Sequence, residues 1–127
     1  MPFITVEYTD NLKAGADIPS LLKKINERLY GEGDVFSLGS IRSSAIAIND
    51  YYIGNGEAEN SFVHVTVKVG PGRPPQVKKD LFDPLFDTVK DHFTHLMENR
   101  YLALSMEIYE FHEGGTYNEN NIIARYE

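Results

Sequence analysis

Twice along this chain an alternating stretch is followed by a helical stripe and then by another alternating stretch. That doubled order is what most limits the folds open to it. Phe3 to Tyr8 sets Ile4, Val6 and Tyr8 against Thr5 and Glu7, the two-residue period of a half-buried strand. Asp17 is a candidate N-cap for a helix whose stripe is Ile18, Leu21, Leu22, Ile25 and Leu29, at the spacing of one buried helical face. Gly31 and Gly33 end it, and Ile41 to Tyr52 reads as a second extended segment centred on Ala45 to Ile48.

The second half repeats the order. After turn residues from Ile53 to Asn60, Phe62 to Val69 places Val63, Val65, Val67 and Val69 on one face. The loop Gly70-Pro71-Gly72-Arg73-Pro74-Pro75 leads into a longer helix, Gln76 to Asn99, with Leu81, Leu85, Val89, Phe93 and Leu96 on its apolar side. Pro84 lies inside this pattern and is expected to kink or divide the helix. Leu102 to Phe111 makes a fourth strand, followed by a Gly114-Gly115 break and a tail ending Ile122-Ile123-Ala124-Arg125-Tyr126.

A strand–helix–strand unit closes by a right-handed crossover that leaves its strands parallel. Two such units side by side give an α+β fold, a four-stranded sheet with both helices on one face, in one domain over residues 1–127. The other face then needs cover, which further copies of the chain would supply.

Composition removes whole classes of function. The net charge of −7 argues against a broad nucleic-acid surface, which needs clustered Lys and Arg. With no cysteine, disulfides, thiolate zinc sites and thiol nucleophiles are excluded. No apolar run approaches a membrane span, and Met1-Pro2-Phe3-Ile4 lacks the basic and apolar regions of a secretory signal. A cytoplasmic address is the expectation.

Three residues carry candidate chemistry. If Met1 is removed, Pro2 is left as a secondary amine at the chain end. By parity it shares the face of Ile4 and Val6, and apolar burial with arginines nearby disfavours the charged amine. A base near neutrality is what proton abstraction beside a carbonyl needs; the plain alternative is a proline that only starts a strand. Arg42 opens the second extended segment, and Arg73 sits in the glycine-rich loop. Guanidinium forks match carboxylates and stabilise a developing dienolate, although surface arginines are common. The loop lacks the Gly-Lys-Ser/Thr ending of a phosphate loop, and no GxGxxG is present.

His92, His95 and Glu98 recur at three-residue spacing, but this spreads around a helix without forming HExxH, so a solvated polar face is expected and not a metal site. His64, set among valines, reads as a sheet-face residue. Glu7, Glu107 and Glu110 lie on strands with nothing in the sequence to bring them together.

Several segments together resemble the 5-carboxymethyl-2-hydroxymuconate isomerase family of the tautomerase superfamily. They are Met1-Pro2, Phe3-Ile4-x-Val6-Glu7 with Asp10-Asn11, Gly39-x-Ile41-Arg42-Ser43, Phe62-Val63-His64-x-Thr66-x-Lys68-x-Gly70-x-Gly72-Arg73, and His92-Phe93 with Leu96-Met97-Glu98-x-Arg100. The likeness extends through Leu102-Ala103-Leu104-Ser105 and Glu110 to Asn120-Asn121.

The resemblance implies a tautomerase fold of the macrophage-migration-inhibitory-factor type, a homotrimer, and sites near subunit boundaries. Pro2 would shuttle the proton, and Arg42 and Arg73 match the substrate-binding arginines. It implies a small polycarboxylate as substrate, no cofactor, no metal, and a place in homoprotocatechuate (4-hydroxyphenylacetate) breakdown. Pro74-Pro75 and Pro84 depart from the family's pattern, and Tyr8 on the Pro2-bearing strand could narrow the pocket. Arg125 is a cation that a neighbouring subunit could contribute. Two other readings stay open at this point: a related proline-dependent tautomerase of phenylpyruvate type or for another muconate, and a non-catalytic oligomeric binding module.

Overall fold

The computed structural model describes residues 2–31 and 35–126. Its elements are β1 (Phe3–Thr9), α1 (Ile18–Tyr30), β2 (Arg42–Ile48), β3 (Asn60–Val69), α2 (Pro75–Met97) and β4 (Tyr101–Glu110). Short 3-10 turns lie at Asp10–Leu12, Leu38–Ser40 and Ile123–Tyr126. The sheet runs β2-β1-β3-β4. β1 with β2 and β3 with β4 are parallel, and the two units meet along the antiparallel β1–β3 pair. This is the doubled strand–helix–strand arrangement that the sequence order calls for.

Strand parity builds the core. Ile4, Val6, Val63, Val65, Val67 and Val69 are fully buried, and Leu21, Ile25 and Leu29 of α1 join Leu85, Val89 and Phe93 of α2 in the same cluster. Burial of each such side chain contributes roughly 1.5–3 kcal/mol. Both helices therefore cover one face, and the alternate strand residues are left on the other.

Several local expectations change. β2 stops at Ile48, not Tyr52, because its only ladder is with β1, which ends in the pair Thr9↔Ile48. Asp17 occupies the N-cap position of α1, but in a left-handed conformation (φ 44°) and without a side-chain capping bond. Gly31 caps the other end, its amide donating to the Glu27 carbonyl; Gly33 lies outside the described residues.

Pro84 does not divide α2, which is continuous from Pro75 to Met97. The carbonyl that loses its donor belongs to Asp80, an exposed position where solvent can take the donor's place. Pro74 and Pro75 form the N-cap and first residue of α2, where a proline's fixed φ and missing N–H cost nothing.

Candidate active site

At one end of the sheet the strand registers place Arg42 beside Phe3, Phe3 beside Lys68, and Lys68 beside Tyr109. Their neighbours Ile4 and Val67 are fully buried toward the helices, so alternation turns this row to the opposite face. The Arg42 guanidinium lies 5.3 Å from the centre of the Phe3 ring. Phe3, Arg42, Lys68, Gly70 and Phe111 line a cavity of about 270 Å³, closed on one side by residues 116–118 of the tail. None of its lining residues is acidic. In a chain of net charge −7, this cavity has apolar walls and two cations, a combination that fits a small organic anion.

The three candidates from the sequence reach this end of the sheet in different ways. Arg42 is exposed and lines the cavity directly. Pro2 is buried, precedes Phe3, and accepts a 3.3 Å hydrogen bond on its carbonyl from the Arg42 amide; it is not itself a lining residue. Arg73 is half-buried; its Nη1 donates to the Gly70 carbonyl at 2.9 Å and its guanidinium lies 4.9 Å from the Phe36 ring centre. Gly70 is the link between Arg73 and the cavity. Gly72 has φ of 103°, which lets the loop fold Arg73 back onto Gly70 and which a side chain there would strain.

Lys68 was not singled out as a site residue from the sequence. Its signals were a place in the Phe62 to Arg73 segment of the family resemblance and parity: it falls on the face of His64 and Thr66, opposite the valines. The register with Phe3 that gives it meaning joins residues far apart in the chain.

The tail wall is held from the other side. Asn120 Nδ2 donates to the Gly39 carbonyl at 3.1 Å, and the Ile122 amide donates to Asn120 Oδ1 at 2.7 Å. A Cβ on Gly39 would stand 2.6 Å from Ile123 Cα, against backbone that cannot yield cheaply. Gly39→Ala is therefore expected to cost about 1–3 kcal/mol of overpacking and to lift the tail. Amide exchange should speed up in residues 116–126 while α1 and α2 keep their protection. Unchanged tail exchange would contradict the close approach.

The remaining sequence candidates serve structure. His92 is buried, a correction to the solvated face expected for it: its Nε2 donates to the Ala16 carbonyl at 2.6 Å, and Lys24 Nζ donates to its Nδ1 at 3.0 Å. His95 Nε2 donates to the Gly15 carbonyl at 3.1 Å. Together they tie the loop before α1 to α2. Glu98 is exposed, and among the described residues no group of three or more His, Asp or Glu is placed to hold a metal.

His64 is a sheet-face residue between Ser105 Oγ (2.6 Å) and Glu107 Oε1 (2.9 Å), with Glu7 beside it in register. Glu110 pairs with Lys78 at 3.0 Å and fastens the start of α2 to the end of β4. Tyr8 does not narrow the cavity: it is buried toward the other end of β1, where it lines a separate pocket with Ala14, Gly15 and Asp17. Arg125 is exposed on the tail.

Comparison with known proteins identifies the family and the fold. The model of the 5-carboxymethyl-2-hydroxymuconate isomerase family matches residues 2–126. The 5-carboxymethyl-2-hydroxymuconate Delta-isomerase of Escherichia coli is 38% identical over 124 residues, covering 98% of each chain. The crystal structure of a 5-carboxymethyl-2-hydroxymuconate isomerase from Deinococcus radiodurans R1 superposes with a TM-score of 0.93 at 42% identity, over 99% of this chain and 94% of that one. A fused 4-OT symmetric trimer shares the fold, with a TM-score of 0.68 at 17% identity over 96% and 98% of the two chains. The full-length match and the doubled strand–helix–strand sheet agree: the chain belongs to the 5-carboxymethyl-2-hydroxymuconate isomerase family and is an enzyme of the isomerase class.

Proposed function

We propose that this chain converts 5-carboxymethyl-2-hydroxymuconate to its 2-oxo tautomer, with the nitrogen of Pro2 carrying the proton and Arg42 and Arg73 holding substrate carboxylates. The supporting observation is convergence at one sheet end. The Arg42 amide binds the Pro2 carbonyl, and Arg42 shares a cavity wall with Gly70, whose own carbonyl holds Arg73.

Loss of Met1, whose placement lies outside the described residues, turns the Pro2 nitrogen from an amide into a secondary amine. Pro2 is buried, which disfavours that amine as an ammonium ion and so makes it available as a base. It takes the proton of the 2-hydroxyl as the C2–O bond becomes a carbonyl. The two double bonds of the dienol become one between C3 and C4, and the proton is returned to C5. Negative charge builds on the substrate during this transfer, and positioned guanidinium groups stabilise it. The balance needs neither oxidant nor reductant. The reading places the enzyme in the cytoplasm, in homoprotocatechuate breakdown.

It also includes a homotrimer. The sheet face turned from the helices carries half-buried Thr5, Glu7, His64 and Thr66, and among the described residues no layer covers it. Three copies arranged as in the 4-OT symmetric trimer would cover it.

An ultraviolet tautomerisation assay on the Met1-free protein tests the function. Turnover of 5-carboxymethyl-2-hydroxymuconate is expected, with kcat/KM reduced about ten- to hundred-fold by Arg73→Gln, the scale of one lost charge-assisted hydrogen bond. Turnover of a phenylpyruvate enol but not of the hydroxymuconate would overturn the substrate assignment in favour of a related tautomerase.

A further inference from the structure

The substrate proposed above carries three carboxylates, two at the ends of the muconate chain and one on the carboxymethyl arm, whereas Arg42 and Arg73 account for two. We propose that Lys68 is the third cation and that it selects the carboxymethyl-bearing substrate over a plain muconate; this rests on the reading of the site as an isomerase centre.

Register carries the argument. Phe3 pairs with Arg42 on one side and with Lys68 on the other. The two cations therefore flank the residue that follows Pro2, their Cα atoms two strand spacings apart, roughly 10 Å. Both line one cavity, whose remaining wall is Phe3, Gly70, Phe111 and uncharged tail residues.

Lys68 is exposed, and its ammonium is not committed elsewhere. Lys78, Lys79 and Lys90 pair with Glu110, Asp83 and Asp87, and Lys24 bonds His92; among the described residues Lys68 enters no such pair. The chemistry also divides the roles. An arginine fork holds a carboxylate in one plane, which suits the rigid conjugated chain. A lysine is a rotatable point charge, which suits a carboxylate on a freely turning methylene.

The test compares Met1-free wild type, Lys68→Gln and Lys68→Arg on 5-carboxymethyl-2-hydroxymuconate and on 2-hydroxymuconate. Lys68→Gln is expected to raise KM for the tricarboxylate about ten- to hundred-fold with little change in kcat. It should leave 2-hydroxymuconate almost unaffected, and Lys68→Arg should recover most of the loss. Equal losses on both substrates, or none on the tricarboxylate, would overturn the assignment. Calorimetric binding of propane-1,2,3-tricarboxylate against pentanedioate reads the same residue without turnover. Wild type should prefer the tricarboxylate and Lys68→Gln should lose that preference; absence of a preference in wild type also overturns the proposal. Failure of every variant to turn over either muconate, with this binding difference intact, would count against the isomerase reading and not against Lys68.

Discussion

With Met1 removed from both proteins, Pro2→Ala is expected to lower kcat by a factor of about 100 to 10,000, the range that a positioned acid–base group contributes. The variant keeps an amine at the chain end, so the loss measures what the secondary ring amine and its fixed orientation add. KM should move little, because the carboxylates are assigned to other residues. A form that keeps Met1, or carries an N-terminal tag, is a sharper case. There the Pro2 nitrogen is an amide whose lone pair is delocalised into the carbonyl, so no activity above background is expected, and cleavage back to Pro2 should restore it. Mass spectrometry of each preparation fixes the state of Met1. The fold is not at stake in these comparisons, since the backbone bond from the Arg42 amide to the residue-2 carbonyl survives the substitution. Equal rates for wild type and Pro2→Ala would remove Pro2 from the mechanism.

What the sequence made legible follows from the range of each signal. Alternation and helical stripes are local, so Val63 to Val69, the α1 stripe and the doubled order could be read directly, and two right-handed crossovers then fix most of the topology. Register is not local. The row Arg42, Phe3, Lys68 joins three strands, and nothing within any one of them says that Lys68 stands beside Phe3 and not two residues further along. The second cation of the cavity was hidden for that reason.

His92 shows a different failure. It lies three residues after Val89 and directly before Phe93, on the buried stripe of α2. The stripe itself announced burial, and its polarity diverted the reading toward solvent. Pro74-Pro75, a departure from the family's pattern, also carries a local signal, since Pro at the first helical position marks a start and Pro75 is the first residue of α2. Pro2 was legible as a strand start, but its apposition to Arg42 depends on the parallel β1–β2 pairing.

Phe93→Ala is the second large effect, and it should appear in stability and not in chemistry. Phe93 is fully buried at the centre of the helix-side core and meets the His92 ring edge-on, with centres 5.1 Å apart at 83°. Truncating a buried phenylalanine removes its transfer free energy and leaves a cavity, together about 3–5 kcal/mol. Domains of this size are stable by only about 5–15 kcal/mol, so the loss is a large share of the total. Denaturant titration at one fixed subunit concentration measures it, since assembly would make the midpoint depend on concentration.

The cavity opens on the other side of the sheet from Phe93. At a temperature where the variant is folded, kcat and KM should therefore stay within about two-fold of wild type, well below the scale of a lost charge-assisted contact. Pro2→Ala should do the reverse, keeping the unfolding midpoint and losing rate. If Phe93→Ala raised KM as strongly as it lowered stability, the helix layer would be part of substrate binding. The outward row of Arg42, Phe3 and Lys68 would then no longer suffice as the site.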